Sequence, residues 1–496
     1  MVSTPSNPFP LALVSISIVN DIVPPWSEAS LLETLTNTRA YTFLSLRDYS
    51  IQLSPIGLLP VELLMEIFNY LPKDGQMDTK STPLRLSHVS SYWRNIVQSM
   101  PFMWAAMRCS IRRGDVTAKV GLESLWLKRS CQVPLKITLE ETESWTYASS
   151  NAPAKHPLLN LLLQNAHRWQ SLTLSVSHPV LFTLSSARKH LHSLQRFTVI
   201  HILPHRGEPF LDVPGVTLRM FECAPKLRDV YLGENVDAPL LGVPWSRLTR
   251  LDIKTNIPLS DIIEIFREAS KLKEVNCYCA HSIETRHVDG QEPIPLESLT
   301  NLRITTEVDL APLLDRLYIP CIRVLDIEHK GPIFTWTDHI LVSLLSRSKP
   351  HALEKMVLTN LSMNDLELLN CLELAPSLME LKLFVWQNVN ANYITEHFIR
   401  RLTIGSQSQS VDDIIAPKLK TLMLSGDLFP AVSMTLYEGM IRSRWGAERN
   451  QSAAELAAVE WTCLVDVGAL PTRDDLKPTK NKGTVVSSCY LGCYIC

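Results

Sequence analysis

The chain holds 496 residues, 46% hydrophobic and 20% charged, a composition that folds into globular domains and excludes a mainly disordered protein. Its 48 Lys and Arg against 50 Asp and Glu leave a net charge of −2, so no overall basic face exists for nucleic acid, and none is expected as a partner. The length exceeds what one ordinary core supports, and about two to four domains are expected.

The opening residues, MVSTPSNPFPLALVSISIVNDIV, lack a positive lead, and Asn20 and Asp21 interrupt the apolar run, so no secretory signal is expected. No stretch reaches the roughly 18 uninterrupted apolar residues of a membrane span. Eleven Cys, scattered and odd in number, suit buried thiols in a reducing cytoplasm or nucleus better than a disulfide framework. Residues 1–52 read as an N-terminal extension with one helix from Ser27 to Tyr49, which carries Leu31, Leu35, Ala40, Phe43 and Leu46. Either Ser27 as a cap or the Pro24-Pro25 pair marks its start.

Residues 59–104 hold the most specific pattern. LPVELLMEIFNYLP reads as a short amphipathic helix with Pro60 at its first position, where a missing N–H costs nothing. Glu62 follows in the first turn, favourably placed on the helix dipole. Leu59, Leu63, Ile67 and Leu71 recur every four residues, and Leu64 and Phe68 widen the stripe. After a polar insert, Leu86, Val89, Trp93 and Val97 repeat the spacing, with Trp104 beyond Pro101. Two short helices cannot bury so many large side chains against each other, so part of the apolar surface is left for the rest of the chain or for a partner.

The order Leu-Pro-x-Glu-Leu-Leu-x-x-Ile-Phe-x-x-Leu, then Val-x-x-x-Trp-Arg and a late Trp, closely resembles the F-box, assigned to residues 53–106. That resemblance implies docking to a Skp-family adaptor, and through it to a cullin, in an SCF-type ubiquitin ligase. It places Leu59, Pro60, Leu63, Ile67, Phe68, Leu71, Val89, Trp93, Arg94 and Trp104 at the adaptor-binding positions of the module. Two departures stand out: Lys73 to Pro83 lengthens the link between the halves, and Ser90 replaces a frequent Cys. The longer link resembles a variant common in fungal F-box proteins, and loop closure grows only slowly more costly with length.

Residues 107–133 are expected to be a helical linker, through GLESLWLKRS. From residue 134 to 466 one beat returns: apolar, two residues, apolar, one residue, apolar. It appears at Trp169/Leu172/Leu174, Leu194/Phe197/Val199, Leu227/Val230/Leu232, Leu248/Leu251/Ile253 and Leu272/Val275/Cys277. It continues at Leu299/Leu302/Ile304, Ile322/Leu325/Ile327, Leu353/Met356/Leu358, Leu378/Leu381/Leu383 and Leu419/Leu422/Leu424, with a looser Leu456/Val459/Trp461. Nine intervals cover 250 residues, a mean near 28, within the roughly 20–29 residues of a leucine-rich repeat. Alternation within each beat predicts a short strand. Segments such as LSDIIEIFREASKL and DHILVSLLSRSK supply helices between beats, and PLKITL near Pro134 is a candidate first strand. Asn235 and Asn256 stand where an Asn would ladder hydrogen bonds between units. The expected fold is therefore α/β: a helical F-box followed by a leucine-rich-repeat solenoid, an irregular horseshoe, with a non-repeat α/β domain as the alternative.

Residues 467–496 read as a flexible tail ending in Cys493-Tyr-Ile-Cys496, a C-a-a-X match. Prenylation of Cys493, with Cys489 as a second acyl site, would give a membrane anchor; an unmodified tail is the other reading. No phosphate loop, zinc-protease motif or nucleophile elbow occurs, and only 17 glycines are present. Cys277-x-Cys279-x-His281, with His287 nearby, has the wrong spacing for a zinc knuckle. No metal, no cofactor and no catalytic residue are therefore expected. The expected role is a non-enzymatic substrate receptor of an SCF-type ligase, binding an unidentified protein target; a scaffold acting outside ubiquitination is the alternative.

Overall fold

A computed structural model describes residues 56, 59–71, 75, 80–111, 118–142, 156–203, 220–221, 223–234, 236, 241–279, 292–330, 336–385, 394–404, 414–426, 434–444 and 458–462. The chain divides into two compact units, one of Met1–Leu71 with Leu86–Val97, the other of Pro72–Arg85 with Gln98–Cys496. The expected helix at Ser27–Tyr49, the acylation candidates Cys489 and Cys493, and Asn235, His281 and His287 lie outside the described residues.

Three helices open the described chain: α1 (Val61–Asn69), α2 (Thr82–Ser87) and α3 (Ser91–Gln98). Pro60 stands one position earlier than expected, at the N-cap of α1 with φ −52° and ψ 148°, and its carbonyl accepts from the Leu63 and Leu64 N–H groups at 3.1 Å each. The Trp93 N–H donates to Ser90 Oγ at 3.1 Å, so Ser90 caps α3. A Cys thiol, a weaker acceptor, would not replace that bond.

In the second unit a 13-stranded sheet holds β1 (Ala106–Ile111), β2 (Leu135–Glu141), β3 (Trp169–Ser177), β4 (Arg196–Leu203), β5 (Asp229–Glu234), β6 (Arg250–Ile257), β7 (Glu274–Cys279), β9 (Asn301–Thr306), β11 (Val324–His329), β12 (Lys355–Thr359), β13 (Glu380–Val385), β14 (Thr421–Gly426) and β15 (Ala458–Thr462). Every pairing is parallel, and the thirteen strands follow one another in chain order. The short β8 (Ile294–Pro295) and β10 (Leu317–Tyr318) form a separate parallel pair. The sheet begins one strand earlier than PLKITL: Ala106–Ile111, placed by the sequence in a helical linker, buries Met107, Cys109 and Ile111 on alternate positions and pairs with β2. Gly75, from the longer link, accepts the Arg108 N–H at 2.7 Å in a left-handed turn of φ +73°.

The ten full beats fall on strands β3–β7, β9 and β11–β14 or on the turn before each, and all thirty of their apolar residues are at most 3% exposed. Registers match them in rows: Leu172 with Phe197, then Val230, Leu251, Val275, Leu302, Leu325 and so on to Leu422. Asn256 is exposed on β6 and reaches no interior ladder. Asn360, in a left-handed turn after β12, takes that part instead: its amide donates to the His329 carbonyl at 3.2 Å and its N–H to Phe384 O at 2.8 Å.

Helices lie between most of the strands: α4 (Ala118–Arg129), α5 (Pro157–Gln164), α6 (His178–Leu184), α7 (Leu259–Glu268), α8 (Ala311–Leu314), α9 (Ile340–Ser348), α10 (Asp365–Glu373), α11 (Glu396–Leu402) and α12 (Met434–Arg444). α7 buries Ile262, Ile263, Ile265 and Phe266. Asn364 and Thr395 cap α10 and α11 by accepting the Glu367 and Phe398 N–H groups at 2.8 and 3.1 Å. Three of the C-termini are closed by arginines from a later helix or turn. Arg168 donates to Ser130 O and Val133 O beyond α4, Arg347 to Leu314 O and Leu317 O around the end of α8, and Arg444 to Leu402 O of α11 plus Ile415 O and Ala416 O. Cations suit these carbonyl ends because the helix dipole is negative there. Burial pulls Arg444 down to about 10. Among the described residues no helix is long and apolar enough to cross a membrane.

Candidate docking face of the helical module

The single apolar stripe read in α1 resolves into two. Leu64 and Phe68, four residues apart, are 0% and 1% exposed, whereas Leu63 and Ile67, one position earlier, keep 51% and 42% of their surface. The buried stripe meets α3 through the Phe68 and Trp93 rings, 4.8 Å apart and tilted by 58°. The Arg94 Nε donates to Ser87 O at 2.9 Å and ties α3 back to the end of α2. Trp93 is half-buried, Ile96 and Val97 are buried, and Val89 and Arg94 are exposed.

The outer stripe keeps about half of its surface exposed. Of the ten large apolar side chains exposed among the described residues, seven (Ile56, Val61, Leu63, Ile67, Tyr70, Val89 and Tyr92) belong to this small unit. Scattered exposed apolar groups are ordinary on any protein, but such local density makes this a candidate contact surface. Of the expected contact positions, Leu63, Ile67 and Val89 are exposed, Leu59 and Leu71 half-buried, and Pro60 exposed beside them. Phe68 is core. Trp104 has no exposed surface: its ring packs edge-on against Trp126 at 4.8 Å, under the Arg129 guanidinium at 4.4 Å, so it supports the second unit rather than meeting a partner. Val61, Tyr70 and Tyr92 are additions. Tyr70 lies three residues after Ile67 on the same face, a signal that its phenol had disguised as polar.

No group of three or more His, Cys, Asp or Glu able to hold a metal occurs among the described residues. Cys277 and Cys279 point inward on β7, and contact with Cys277 together with burial pushes the Cys279 thiol well above its usual value, the reverse of what thiolate chemistry needs.

The outward face of the sheet is polar and internally matched. Ion pairs join Arg196 to Asp229 at 3.2 Å, Arg250 to Glu274 at 3.0 Å, Arg303 to Asp326 at 3.6 Å and Lys355 to Glu380 at 3.1 Å, each bridging neighbouring strands. Exposed pairs of this kind add little stability. An open depression of ≈ 600 Å³ spans the first two pairs and reaches Arg303, floored by residues such as Tyr231, Asp252 and Asn276. A hydrogen bond to Glu307 and partial burial raise Tyr278, on the same face, to about 12.

The described residues thus comprise a helical module with an apolar outer stripe and a large parallel sheet with a polar outer face. Residues 56–110 match the F-box-like family, covering α1 to α3, the turn at Pro101–Trp104 and most of β1. The chain therefore contains an F-box-like domain. No curated protein matches the chain at a significant level.

Proposed function

We propose that this protein is the substrate-recognition subunit of an SCF-type cullin-RING ubiquitin ligase. The observation that carries this reading is the exposed stripe of Leu63, Ile67 and Tyr70 inside a domain that matches the F-box-like family. F-box domains in general bind Skp-family adaptors, and an adaptor covers an apolar helix face of this kind. The second unit reads as a leucine-rich-repeat-like solenoid, supported by thirteen sequence-ordered parallel strands whose apolar rows recur near a 28-residue period. Its outward face and turns would hold the target protein. The long link between α1 and α2 favours the fungal-type branch of the F-box group.

In this role the chain works by proximity. It raises the local concentration of a target lysine beside a charged ubiquitin carrier and supplies no acid, base or nucleophile itself. It would act in cytoplasm or nucleus, and at a membrane only if Cys493 is prenylated. Co-purification from cells tests the reading: wild type retains the Skp-family adaptor and cullin, and ubiquitination of a co-purified protein depends on this chain. Retention of the adaptor without any dependent ubiquitination would leave a scaffold role and refute the ligase reading.

A further inference from the structure

The edge of the sheet at which strands begin carries a local excess of positive charge that the near-neutral total conceals. A ladder of backbone hydrogen bonds fixes this edge: Arg228 N–H to Gln195 O at 2.9 Å, then Thr249 to Arg228, Lys273 to Thr249 and Thr300 to Lys273 at 2.8 Å each. One residue further, Arg196, Asp229, Arg250, Glu274 and Asn301 stand in register across β4 to β9. Three residues before that row come Lys226, Arg247 and Lys271, all exposed. The nine edge positions at the start of β5, β6 and β7 thus hold six cations (Lys226, Arg228, Arg247, Arg250, Lys271 and Lys273) and two carboxylates, Asp229 and Glu274. Asp229 is paired with Arg196 and Glu274 with Arg250. Lys226, Arg228, Arg247, Lys271 and Lys273 form no ion pair among the described residues, and an open depression of ≈ 300 Å³ is lined by Gln195, Arg196, Lys226, Arg228 and Asp229. The matching edge of β9 is neutral, with Ser298, Thr300 and Asn301.

We infer that this edge, from β5 to β7, docks an acidic run of Asp and Glu residues in a partner protein. Its cations recur along the edge, one set per turn about 4.8 Å apart, so they extend over three turns beyond the reach of a single phosphate. A chain crossing three turns covers about 10 Å, some three extended residues, so a contiguous acidic run keeps a carboxylate near each set whichever side chains face the edge. A duplex presents charge over a far longer span, and its affinity rests on many phosphate contacts that a 10 Å line, about the length of three turns, does not offer. The inference goes beyond the ligase reading and is tested apart from it, because peptide binding requires neither adaptor nor ubiquitin.

The probe is a fluorescein-labelled peptide of alternating Asp and Glu, about twelve residues long, titrated with the full chain and followed by anisotropy. Saturable binding is expected at about 50 mM NaCl, falling at least about tenfold by about 300 mM as the exposed charges are screened. Lys271→Glu with Lys273→Glu weakens it by at least about tenfold, and the neutral Lys271→Gln with Lys273→Gln gives an intermediate loss at unchanged melting temperature. Lys418→Glu with Lys420→Glu, exposed before β14 on the same edge, leaves it within about twofold. Absence of binding at low salt, equal losses in both reversal variants, or tighter binding of a single-stranded oligonucleotide of equal charge overturns the inference.

Discussion

Replacing Leu63 and Ile67 together by alanine separates docking from folding, because the two side chains sit on the exposed stripe of α1. About half of each is available for a partner to cover, from 51% and 42% exposure. Full burial of a Leu or Ile is worth roughly 1.5–3 kcal/mol, so each contributes about 1 kcal/mol to docking, and the pair about 2 kcal/mol. That loss is roughly a 30-fold rise in Kd for a purified Skp-family adaptor, read by titration calorimetry. The half of each side chain already packed in the fold contributes by the same rule, so the pair lowers stability by about 2 kcal/mol at most. Phe68→Ala, one residue away and 1% exposed, behaves in the opposite way: it removes the ring against Trp93 and costs about 3–5 kcal/mol of stability. An alanine pair that binds the adaptor as tightly as wild type, or that melts as low as Phe68→Ala, refutes the division of α1 into two stripes.

Gly233→Ala brings a Cβ to 1.9 Å from Ile200 O, at the residue where β4 bulges in its pairing with β3, so a loss of about 1–3 kcal/mol in chemical denaturation is expected. Arg444→Met leaves the carbonyls of Leu402, Ile415 and Ala416 without their donor; about 3 kcal/mol or more of destabilisation follows, and an unchanged denaturation midpoint contradicts the clasp. Burial holds the fully enclosed Glu367 carboxyl above its ordinary range. A raised carboxyl costs stability above its folded value and is relieved as pH falls toward the unfolded one. Glu367→Gln is therefore more stable than wild type at about pH 8, and the gap closes by about pH 5 in thermal melts; a gap independent of pH rejects the assignment.

Much of the strand framework was legible because alternation of side chains across a strand is a direct consequence of backbone geometry: the positions at Leu172/Leu174 and their nine counterparts are buried, as their period-two spacing requires. Less visible was which of two adjacent stripes on α1 faces outward. Leu63 and Leu64 are chemically identical, and only the position of Trp93 decides between them. The first strand was hidden because AMRCSI carries an Arg and a Ser among its six residues, and only its pairing with β2 shows that they face outward. Trp104 looked like a contact residue from its place after Pro101, whereas Trp126 and Arg129 enclose it. Arg168, Arg347 and Arg444 have no local signature at all, because each closes a helix end some 30 to 40 residues away in sequence. The basic edge was invisible for a similar reason: Lys226, Arg247 and Lys271 are more than 20 residues apart from one another and become one row only through the register of three strands.

Reconstitution of the purified chain with a Skp-family adaptor and a cullin, followed by native mass measurement, tests the central claim most directly. Wild type is expected to assemble one copy of each partner, and the Leu63→Asp/Ile67→Asp variant to remain alone while keeping its fold. A wild-type chain that stays alone beside an active adaptor and cullin contradicts the account.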